Sequence, residues 1–328
     1  MIVITGSCGF IGFHLSKYLL EKGYYILGID NLNSYYSVEL KEARLKILNN
    51  YYNFKFVKID LANSSKFNKI VETYLKQNSI RAFIHLAAQP GVRFSISNPE
   101  IYFKNNIYAF FNILEFLRKY NNVEHFIFAS SSSVYGLNRK LPFSEEDKTD
   151  FPASFYGATK KVDEIMAFSY SLLYQIPTTG LRFFTVYGPW GRPDMAYFKF
   201  TDKIIKGEEI EIYNFGKLQR DFTYIDDIIN TIGIMVEKGF IKKEKENPFF
   251  NLYNIGGSNP VELMYFIELL EKYIGKKANK KFVEFQKGDL EKTWADVENL
   301  EKDYNYKPKV SIEEGLKKFV EWYKDFYL

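Results

Sequence analysis

A tyrosine and a lysine four residues apart stand where a proton could be transferred. The spacing places Tyr156 and Lys160 on one face of a helix, but the chain has five Tyr-x-x-x-Lys pairs, so spacing alone decides little. This pair opens a predicted helix and follows the serine run from Ser130 to Ser133 at the end of a predicted strand. A tyrosine has a pKa near 10, and a neighbouring cation stabilises the phenolate that acts as a base. We therefore predict that Tyr156 is a general base; the alternative is an ordinary helix surface.

A glycine-rich turn, TGSCGFIG, follows the first apolar run of the chain. Gly6 permits a tight turn, Gly9 lets the backbone approach a pyrophosphate, and Gly12 lets a helix pack on a sheet. The phosphates would then meet the positive end of the helix dipole. The alternative is a plain strand–helix turn. The predicted cofactor contacts of this turn are Gly6, Gly9, Phe10, Ile11 and Gly12.

Carboxylates end the second and third predicted strands. Asp30, which precedes Asn31, can accept hydrogen bonds from a ribose diol and repel a 2′-phosphate, so NAD is favoured over NADP. The alternative for Asp30 is a turn-forming role. Asp60 and Leu61 could reach the adenine, although Asp60 could equally cap a loop. All four residues are predicted cofactor contacts.

The elements that must position these groups alternate along the first half of the chain. Strands are predicted at 1–5, 24–30, 54–60, 81–87 and 123–130, with helices after the glycine turn and at 37–49, 64–78, 98–120 and 154–175. This alternation predicts an α/β fold, a Rossmann-type doubly wound parallel sheet whose site lies at the carboxyl ends of the strands.

The pattern changes after about Ile176, where short strands alternate with Pro/Gly turns. We expect a smaller mixed α/β domain there. The predicted division is an NAD-binding domain over 1–177 and a mainly substrate-binding domain over 178–328, with some segments of the latter returning to the first domain.

Composition excludes several classes of protein. With 46% hydrophobic and 26% charged residues among 328, the chain is neither disordered nor collagen-like. Cys8 is the single cysteine, so no intrachain disulfide forms, and a net charge of +4 does not demand nucleic acid. No run of 18 apolar residues predicts a membrane span, and the start MIVITG lacks the basic stretch of a signal peptide, so a cytoplasmic location is expected. The three histidines, His14, His85 and His125, lack metal-ligand spacing, and no metal is expected.

Arginine is scarce, since only eight of the 44 cations are arginine. Arg182, Arg192 and Arg220 fall within 39 residues of one another. Where lysine is the default cation, an arginine is more readily explained by its planar fork of donors.

Seven segments together resemble the extended short-chain dehydrogenase/reductases, specifically the NAD-dependent nucleotide-sugar epimerases. They are TGSCGFIG, DNLNSYY, HLAAQPGVR, ASSSSVYG, YGATK, RFFTVYGPWGRPDMA and RDFTYIDD, which stand in the family's order and spacing. The resemblance extends over nearly the whole chain. The resemblance implies that Ser131 is the catalytic hydroxyl, Tyr156 the base and Lys160 its partner.

The same resemblance extends to the residues around the cofactor. It implies that Ala87 and Ala88 line the cofactor and that Asn106 lies close to the active site. The chain carries Ala109 where family enzymes carry Gly, and Lys287 where they carry Pro.

Two serines after the catalytic hydroxyl argue against dehydration and decarboxylation. Dehydratases of the group place Asp-Glu after the catalytic hydroxyl, and uronate decarboxylases place Glu two residues after it. Ser132 and Ser133 occupy those positions and cannot serve as carboxylic acid or base groups. Epimerisation, which needs only hydride and proton transfer at one carbon, remains.

The stretch from Arg182 to Ala196 resembles the UDP-glucuronate 4-epimerases, whereas neutral-sugar 4-epimerases carry Asn where Thr185 stands. Arg192, helped by Thr185, would suit a sugar carboxylate; the alternative for Arg192 is an ion pair or a backbone clamp. Arg220 is predicted to bind the pyrophosphate, or else to form a structural pair with Asp221. The remaining predicted substrate contacts are Ser131, Ser132 and Arg93.

The favoured function is reversible C4 epimerisation of UDP-glucuronate to UDP-galacturonate through a 4-keto intermediate, with tightly bound NAD. The alternatives are a 4-epimerase of neutral UDP-hexoses, N-acetylhexosamines or another nucleotide sugar, a net NAD-dependent nucleotide-sugar dehydrogenase, and a non-catalytic nucleotide-sugar or NAD sensor. The resemblance also implies a homodimer that pairs the helices at 98–120 and 154–175. Their apolar residues include Tyr102, Ile107, Phe111, Leu114, Ile165, Phe168 and Leu172.

Overall fold

The computed structural model describes residues 1–75, 79–120, 122–285 and 290–328. The strands are β1 (Ile2–Thr5), β2 (Ile26–Asp30), β3 (Phe54–Lys58), β4 (Ala82–His85), β5 (Phe126–Ser131), β6 (Thr178–Phe183), β7 (Thr185–Tyr187), β8 (Glu209–Ile212), β9 (Gln219–Tyr224), β10 (Phe250–Ile255), β11 (Pro260–Glu262) and β12 (Asn279–Phe282). The helices are α1 (Phe10–Glu21), α2 (Val38–Leu48), α3 (Ser64–Leu75), α4 (Phe94–Ser97), α5 (Pro99–Tyr102), α6 (Ala109–Tyr120), α7 (Phe155–Tyr174), α8 (Ala196–Lys206), α9 (Ile225–Lys238), α10 (Leu263–Ile274), α11 (Glu298–Tyr304) and α12 (Ile312–Tyr327).

Seven parallel strands form the central sheet, in the order β10-β6-β5-β4-β1-β2-β3. Side chains of β1 alternate between its two faces: Ile2 and Ile4 pack in one core cluster, and Val3 packs in the other. Both faces are covered by helices, which explains why the strand reads as a continuous apolar run. The predicted α/β doubly wound class is confirmed.

Two strands from beyond residue 177 belong to this central sheet. β6 pairs with β5, and β10 pairs with β6 at the edge. The other late strands form two small sheets, a three-stranded one in the order β11-β9-β7 and a parallel pair, β12 with β8. Sheet membership therefore does not divide the chain at 177, and the predicted division by function stays a prediction.

The helix predicted over 98–120 is interrupted. α5 begins at Pro99, a π-helical segment spans Phe103–Tyr108, and α6 follows from Ala109. A π segment inserts an extra residue per turn and is frequent at functional sites. The last three positions of the helix predicted over 64–78, and position 287, lie outside the described residues.

None of the helices in the described ranges combines the length and apolar character needed to cross a membrane.

A buried ion pair ties α7 to the central sheet. Arg182, on β6, donates from Nε and Nη2 to the two carboxylate oxygens of Glu164 at 2.8 and 2.9 Å. Ser130 donates to Glu164 at 2.6 Å, and Arg182 also donates to the Tyr135 hydroxyl at 3.0 Å. Arg182 and Glu164 are only 2% and 3% exposed, so Arg182 depends on Glu164 for charge compensation, and Glu164 depends mainly on Arg182, with Lys161 at 3.8 Å as a second, longer contact.

Replacing Arg182 by methionine should lower the free energy of unfolding by about 3–5 kcal/mol, because it leaves the buried Glu164 carboxylate with only the more distant, half-buried Lys161 to offset its charge. Urea denaturation followed by circular dichroism measures the change. Lys318→Met is the control, since Lys318 pairs with Glu314 on the surface and its loss should cost less than about 1 kcal/mol. Equal losses for the two variants would contradict the assignment of Arg182 as a stabilising buried cation.

Candidate active site

A cavity of about 410 Å³ opens at the carboxyl ends of the central strands. It collects every predicted cofactor contact and five of the six predicted substrate contacts. The cofactor set is Gly6, Gly9, Phe10, Ile11, Gly12, Asp30, Asn31, Asp60, Leu61, Ala87, Ala88, Tyr156 and Lys160. The substrate set is Ser131, Ser132, Thr185, Arg192 and Arg220.

The glycine-rich turn lies against the loop after β4. Gly6 has φ +73°, and a Cβ there would lie 2.8 Å from the Ala87 nitrogen. A Cβ at Gly12 would overlap the Gly6 carbonyl oxygen. No side chain caps α1 at Gly9, so the first-turn N–H groups remain available to an anion. The turn therefore has the bare backbone and the helix end that a pyrophosphate requires.

Asp30 closes this turn from the end of β2. Its Oδ2 accepts a hydrogen bond from the Cys8 N–H at 3.1 Å, and its Oδ1 accepts one from the Leu32 N–H at 2.8 Å. Each oxygen keeps a lone pair, which can accept a hydrogen bond from a ribose diol. Asp30 thus combines the turn-forming role with an orientation suited to NAD.

Asp60 caps a loop, and its contact with the adenine stays a prediction. Its Oδ1 accepts from the Ala62 N–H at 3.0 Å, as a loop-capping residue does, and its Oδ2 pairs with Lys104 at 3.1 Å. It nevertheless lines the cavity beside Leu61.

The serine run and α7 meet at the other end of the cavity. The Ser131 hydroxyl donates to Ser133 Oγ at 3.2 Å and accepts from the Ser133 N–H at 3.2 Å. Lys160 is 2% exposed and donates to the Ala129 carbonyl oxygen and to Asp163 Oδ2, both at 3.1 Å. Burial raises the pKa of Asp163 to about 7, although Lys160 opposes the shift. Lys160 therefore has a buried carboxylate partner, Asp163, that sequence reasoning missed.

Asn106 fixes the loop between β4 and α4 without lining the cavity. Its Oδ1 accepts from the Gln89 N–H at 2.7 Å, and its Nδ2 donates to the Gln89 carbonyl oxygen at 3.1 Å and to Thr159 Oγ1 at 3.0 Å. This side chain, carried by the π-helical segment, links the loop over the cavity to the helix of Tyr156.

Arg192 forms the ion pair that was its alternative interpretation. Its Nε and Nη2 donate to the two oxygens of Asp194 at 3.0 and 2.6 Å. The guanidinium still lines the cavity, together with Thr185. The ion pair and a position facing the cavity are therefore compatible.

The other two predicted arginine contacts differ from each other. Arg220 lines the cavity and donates to the carbonyl oxygens of Gln219 and Glu291 at 2.9 and 3.2 Å. The Asp221 carboxylate accepts hydrogen bonds from three backbone N–H groups. Arg93 is exposed, stacks over Tyr213 at 4.6 Å from the ring centroid, and is not among the described residues that line the cavity.

Sequence reasoning missed Arg44, on α2, which is fully buried. Its Nη1 donates to the carbonyl oxygen of Cys8 and to the Tyr36 hydroxyl, both at 2.9 Å. Its Nη2 donates to the carbonyl oxygens of Trp190 and Gly191 at 2.5 and 3.2 Å. It thus ties the glycine-rich turn to the loop that carries Arg192. The scarcity of arginine in the chain was the available signal.

Within the described ranges, no three His, Cys, Asp or Glu side chains are grouped to hold a metal ion. His85 lies beside Thr5 at 2.7 Å and His125 beside Thr179 at 2.8 Å, both buried in the sheet. Burial holds the pKa of each well below its usual range, so both are neutral.

Comparisons with known proteins agree on the family. The sequence pattern of the family described as GDP-mannose 4,6 dehydratase matches residues 3–319. The chain is 51% identical to an uncharacterized protein of Methanocaldococcus jannaschii over 100% of this chain and 98% of that one. It is 44% identical to a probable UDP-glucuronate 4-epimerase of Rhizobium meliloti, over 99% of this chain and 97% of that one. The structure superimposes on the UDP-glucuronic acid 4-epimerase of Bacillus cereus, solved with UDP-glucuronic acid and NAD, with a TM-score of 0.90, 34% identity and 99% coverage of both chains.

Replacing Asp30 by asparagine should weaken NAD binding roughly 10- to 100-fold, because hydrogen bonds to a charged group contribute about 1.5–3 kcal/mol. Loss of the negative charge should also reduce discrimination against NADP. Calorimetric titration of cofactor-free protein measures both affinities. Asp226→Asn, at the start of α9 and outside the cavity, is the control; an Asp30 variant that binds NAD as tightly as this control would contradict the assignment.

Proposed function

The chain belongs to the GDP-mannose 4,6-dehydratase family of extended short-chain dehydrogenase/reductases, and we propose that it interconverts UDP-glucuronate and UDP-galacturonate by inversion at C4, with NAD. The observation that carries this reaction is the distribution of charge in the cavity. We call the part of the cavity formed by the serine run, α7 and the Arg192 loop its reaction end. The described lining residues there offer hydroxyl and cationic groups, namely Ser131, Tyr156, Lys160 and Arg192, and no carboxylate.

The carboxylates among the described lining residues are Asp30, at the end of β2, and Asp60, just after β3, both at the other end of the cavity. Dehydration and assisted decarboxylation need an acid or base beside the sugar ring, where Ser132 and Ser133 stand. This arrangement supports a reaction limited to hydride and proton transfer at one carbon.

NAD, when bound, supplies the hydride acceptor and donor at C4 and is regenerated in each turnover. The glycine-rich turn would hold the pyrophosphate of NAD, and Asp30 would bind its adenosine ribose. Ala87 and Ala88 would line the cofactor. A backbone with no side chain at Gly6 and Gly12 fits this group, because a Cβ at either would meet neighbouring backbone.

Tyr156 removes the proton from the C4 hydroxyl as the carbon becomes a carbonyl, and returns a proton when the alcohol re-forms. Lys160, one helical turn along α7, is the partner of Tyr156, and Ser131 hydrogen-bonds the C4 oxygen of the sugar. Between the two transfers the 4-keto sugar turns over about its pyrophosphate linkage, so that its other face meets the hydride donor. Arg220 would hold that pyrophosphate, while Ser132 contacts the sugar.

Arg192 and Thr185 bind the carboxylate of the uronate. A guanidinium matches a carboxylate in charge and in geometry. Binding of the carboxylate also slows decarboxylation of the intermediate. A 4-keto uronate is a β-keto acid, which loses CO2 when the C5–C6 bond aligns with the carbonyl π system. A fixed carboxylate restrains that alignment.

The functional division of the chain follows from these assignments. Residues 1–177 hold the cofactor and the proton-transfer pair, and residues 178–328 mainly hold the nucleotide sugar, with β6 and β10 returning to the central sheet. The exposed Arg93 is left as the least supported substrate contact, because the described cavity lining does not include it.

A homodimer through α6 and α7 is supported by apolar side chains left exposed on these helices. Phe111, Ile165, Phe168 and Leu172 are 40%, 54%, 39% and 47% exposed. Tyr102 and Leu114 are fully buried in the protomer and Ile107 is partly buried, so they belong less to such a surface. Apolar faces of this kind are favoured positions for subunit contact.

Replacing Tyr156 by phenylalanine should lower kcat for UDP-glucuronate roughly 10²- to 10⁴-fold, the usual contribution of a general acid–base group. NAD binding should be affected much less, because the glycine-rich turn, Asp30 and the other cofactor contacts remain. Tyr273→Phe, taken from another Tyr-x-x-x-Lys pair, is the control and should leave kcat unchanged. Near-normal turnover by the Tyr156 variant would exclude it as the base.

Replacing Arg192 by leucine should weaken UDP-glucuronate about 10- to 100-fold while affecting UDP-glucose much less, because a charge-assisted pair is lost only for the uronate. It should also release some UDP-pentose: CO2 leaves the 4-keto uronate, C5 takes a proton from water, and the hydride held on the cofactor reduces C4. Steady-state kinetics with both sugars and product chromatography measure these effects. Arg139→Leu, on an exposed residue, is the control, and equal losses for both sugars would show that Arg192 is structural.

Replacing Ile165 by glutamate should convert the dimer to a monomer at micromolar concentration, because it places a charge in an apolar contact. Light scattering measures the molar mass. Tyr52→Glu, at an exposed position outside both helices, should remain dimeric. A monomeric unmodified protein would refute the dimer.

A further inference from the structure

The backbone of the loop that carries Arg192 is held by hydrogen bonds from other parts of the chain. Arg44 donates to the carbonyl oxygens of Trp190 and Gly191, the two peptides that precede Arg192. The Arg192 N–H donates to the Tyr197 hydroxyl at 3.2 Å, and a Cβ at Gly191 would overlap that hydroxyl. The Cα of Arg192 is therefore anchored, and only its side-chain torsions remain to be set.

Asp194 sets those torsions by taking one edge of the guanidinium. A guanidinium offers two edges to a carboxylate, one formed by Nε and Nη2 and the other by Nη1 and Nη2. The two oxygens of Asp194 occupy the first edge. Across the described part of the chain, no hydrogen-bond partner of Nη1 is found, and Arg192 lines the cavity. The second edge is thus the one left for a ligand.

Tyr35 in turn holds Asp194 from the cofactor side of the cavity. Its hydroxyl donates to Asp194 Oδ2 at 3.2 Å, and its ring packs on Phe94 with centroids 5.1 Å apart. Burial and the charge of Asp194 raise the pKa of Tyr35 to about 12, so it stays a neutral donor. Although burial disfavours its charge, Arg192 and Tyr35 hold the pKa of Asp194 below its usual range, so the pair is ionic at neutral pH.

We propose that Asp194 and Tyr35 are positioning residues that orient Arg192 so that its Nη1/Nη2 edge meets the substrate carboxylate. This inference rests on the proposed uronate reaction and names the residues that set its geometry. Asp194 also neutralises Arg192 in the free protein, so the uronate meets an oriented pair of donors and not an isolated cation. The Asp194–Arg192 pair therefore fixes the direction of the guanidinium donors at the expense of the electrostatic attraction between Arg192 and the substrate carboxylate.

Substitutions of Asp194 and of Arg192 should have different kinetic effects. Loss of Arg192 removes the charge that attracts the uronate, whereas loss of the Asp194 charge keeps that attraction and removes only the orientation of Arg192. Asp194→Asn removes the neutralising charge, so attraction of the uronate to Arg192 is kept or strengthened and the KM for UDP-glucuronate should not rise. The amide offers one acceptor where the guanidinium has two donors, so Arg192 is released from its orientation. The kcat should then fall about 10- to 100-fold, the cost of a small misplacement at a reacting centre.

The test compares Asp194→Asn, Tyr35→Phe and Arg192→Leu for kcat, KM and the fraction of UDP-pentose among the products. We expect Asp194→Asn to lower kcat and to raise the UDP-pentose fraction with an unchanged or lower KM, and Tyr35→Phe to do the same more weakly. Asp147→Asn, which removes a carboxylate paired with Lys140, is the matched control and should change none of these quantities.

Failures of the two proposals give different results. If the unmodified protein does not epimerise UDP-glucuronate, the proposed function fails. If it does, and if Arg192→Leu impairs it, then wild-type kcat and product ratios in Tyr35→Phe and Asp194→Asn overturn the positioning role alone. A raised KM with unchanged product ratio in both variants also overturns it, because that pattern marks lost attraction and not lost orientation. Should Asp194→Asn not fold, Tyr35→Phe decides, since it leaves the ion pair in place.

Discussion

Parallel pairing of β1 with both β2 and β4 is the constraint on which the rest of the site depends. Thr5 pairs with Ile29 on one side and with His85 on the other, so the glycine-rich turn, Asp30 and Ala87 leave the sheet at one edge. Because parallel strands require crossover helices, the same pairing sends the chain from the glycine-rich turn directly into α1, with its uncapped N-terminus facing the cavity. β5 continues the ladder and brings Ser131 to that edge. The cofactor end and the reaction end are therefore two stretches of one sheet edge.

Features with local signatures could be predicted from the sequence, and features made by distant segments could not. Strand–helix alternation predicted the central sheet, and its context separated Tyr156 from four similar pairs. Arg44 reads as an unremarkable residue of a polar helix, because its partners Cys8 and Trp190 are 36 and 146 residues away. Arg93 stays a predicted substrate contact, but the structure leaves it exposed and over the ring of Tyr213, a distant residue that the motif around Arg93 could not reveal.

Each cation at the reaction end is held by a carboxylate that does not face the ligand. Lys160 pairs with Asp163 three residues along α7, and Arg192 pairs with Asp194 two residues along its loop. Sequence proximity makes both pairs cheap in conformational entropy, because few torsions separate the partners. The consequence is that both cations are oriented before the substrate arrives, with the charge of Arg192 offset by Asp194 and that of Lys160 offset in part by Asp163, whose pKa burial raises to about 7. This suits an enzyme whose ligand must turn over within the site between two transfers.

In the proposed reaction the hydride removed from C4 returns to C4 of the same sugar. UDP-glucuronate deuterated at C4 tests it directly, with mass spectrometry of the products and absorbance of the reduced cofactor recorded during turnover. We expect UDP-galacturonate that retains its deuterium at C4, with no accumulation of free NADH. Deuterium lost to solvent, or NADH that accumulates in proportion to product, would contradict it.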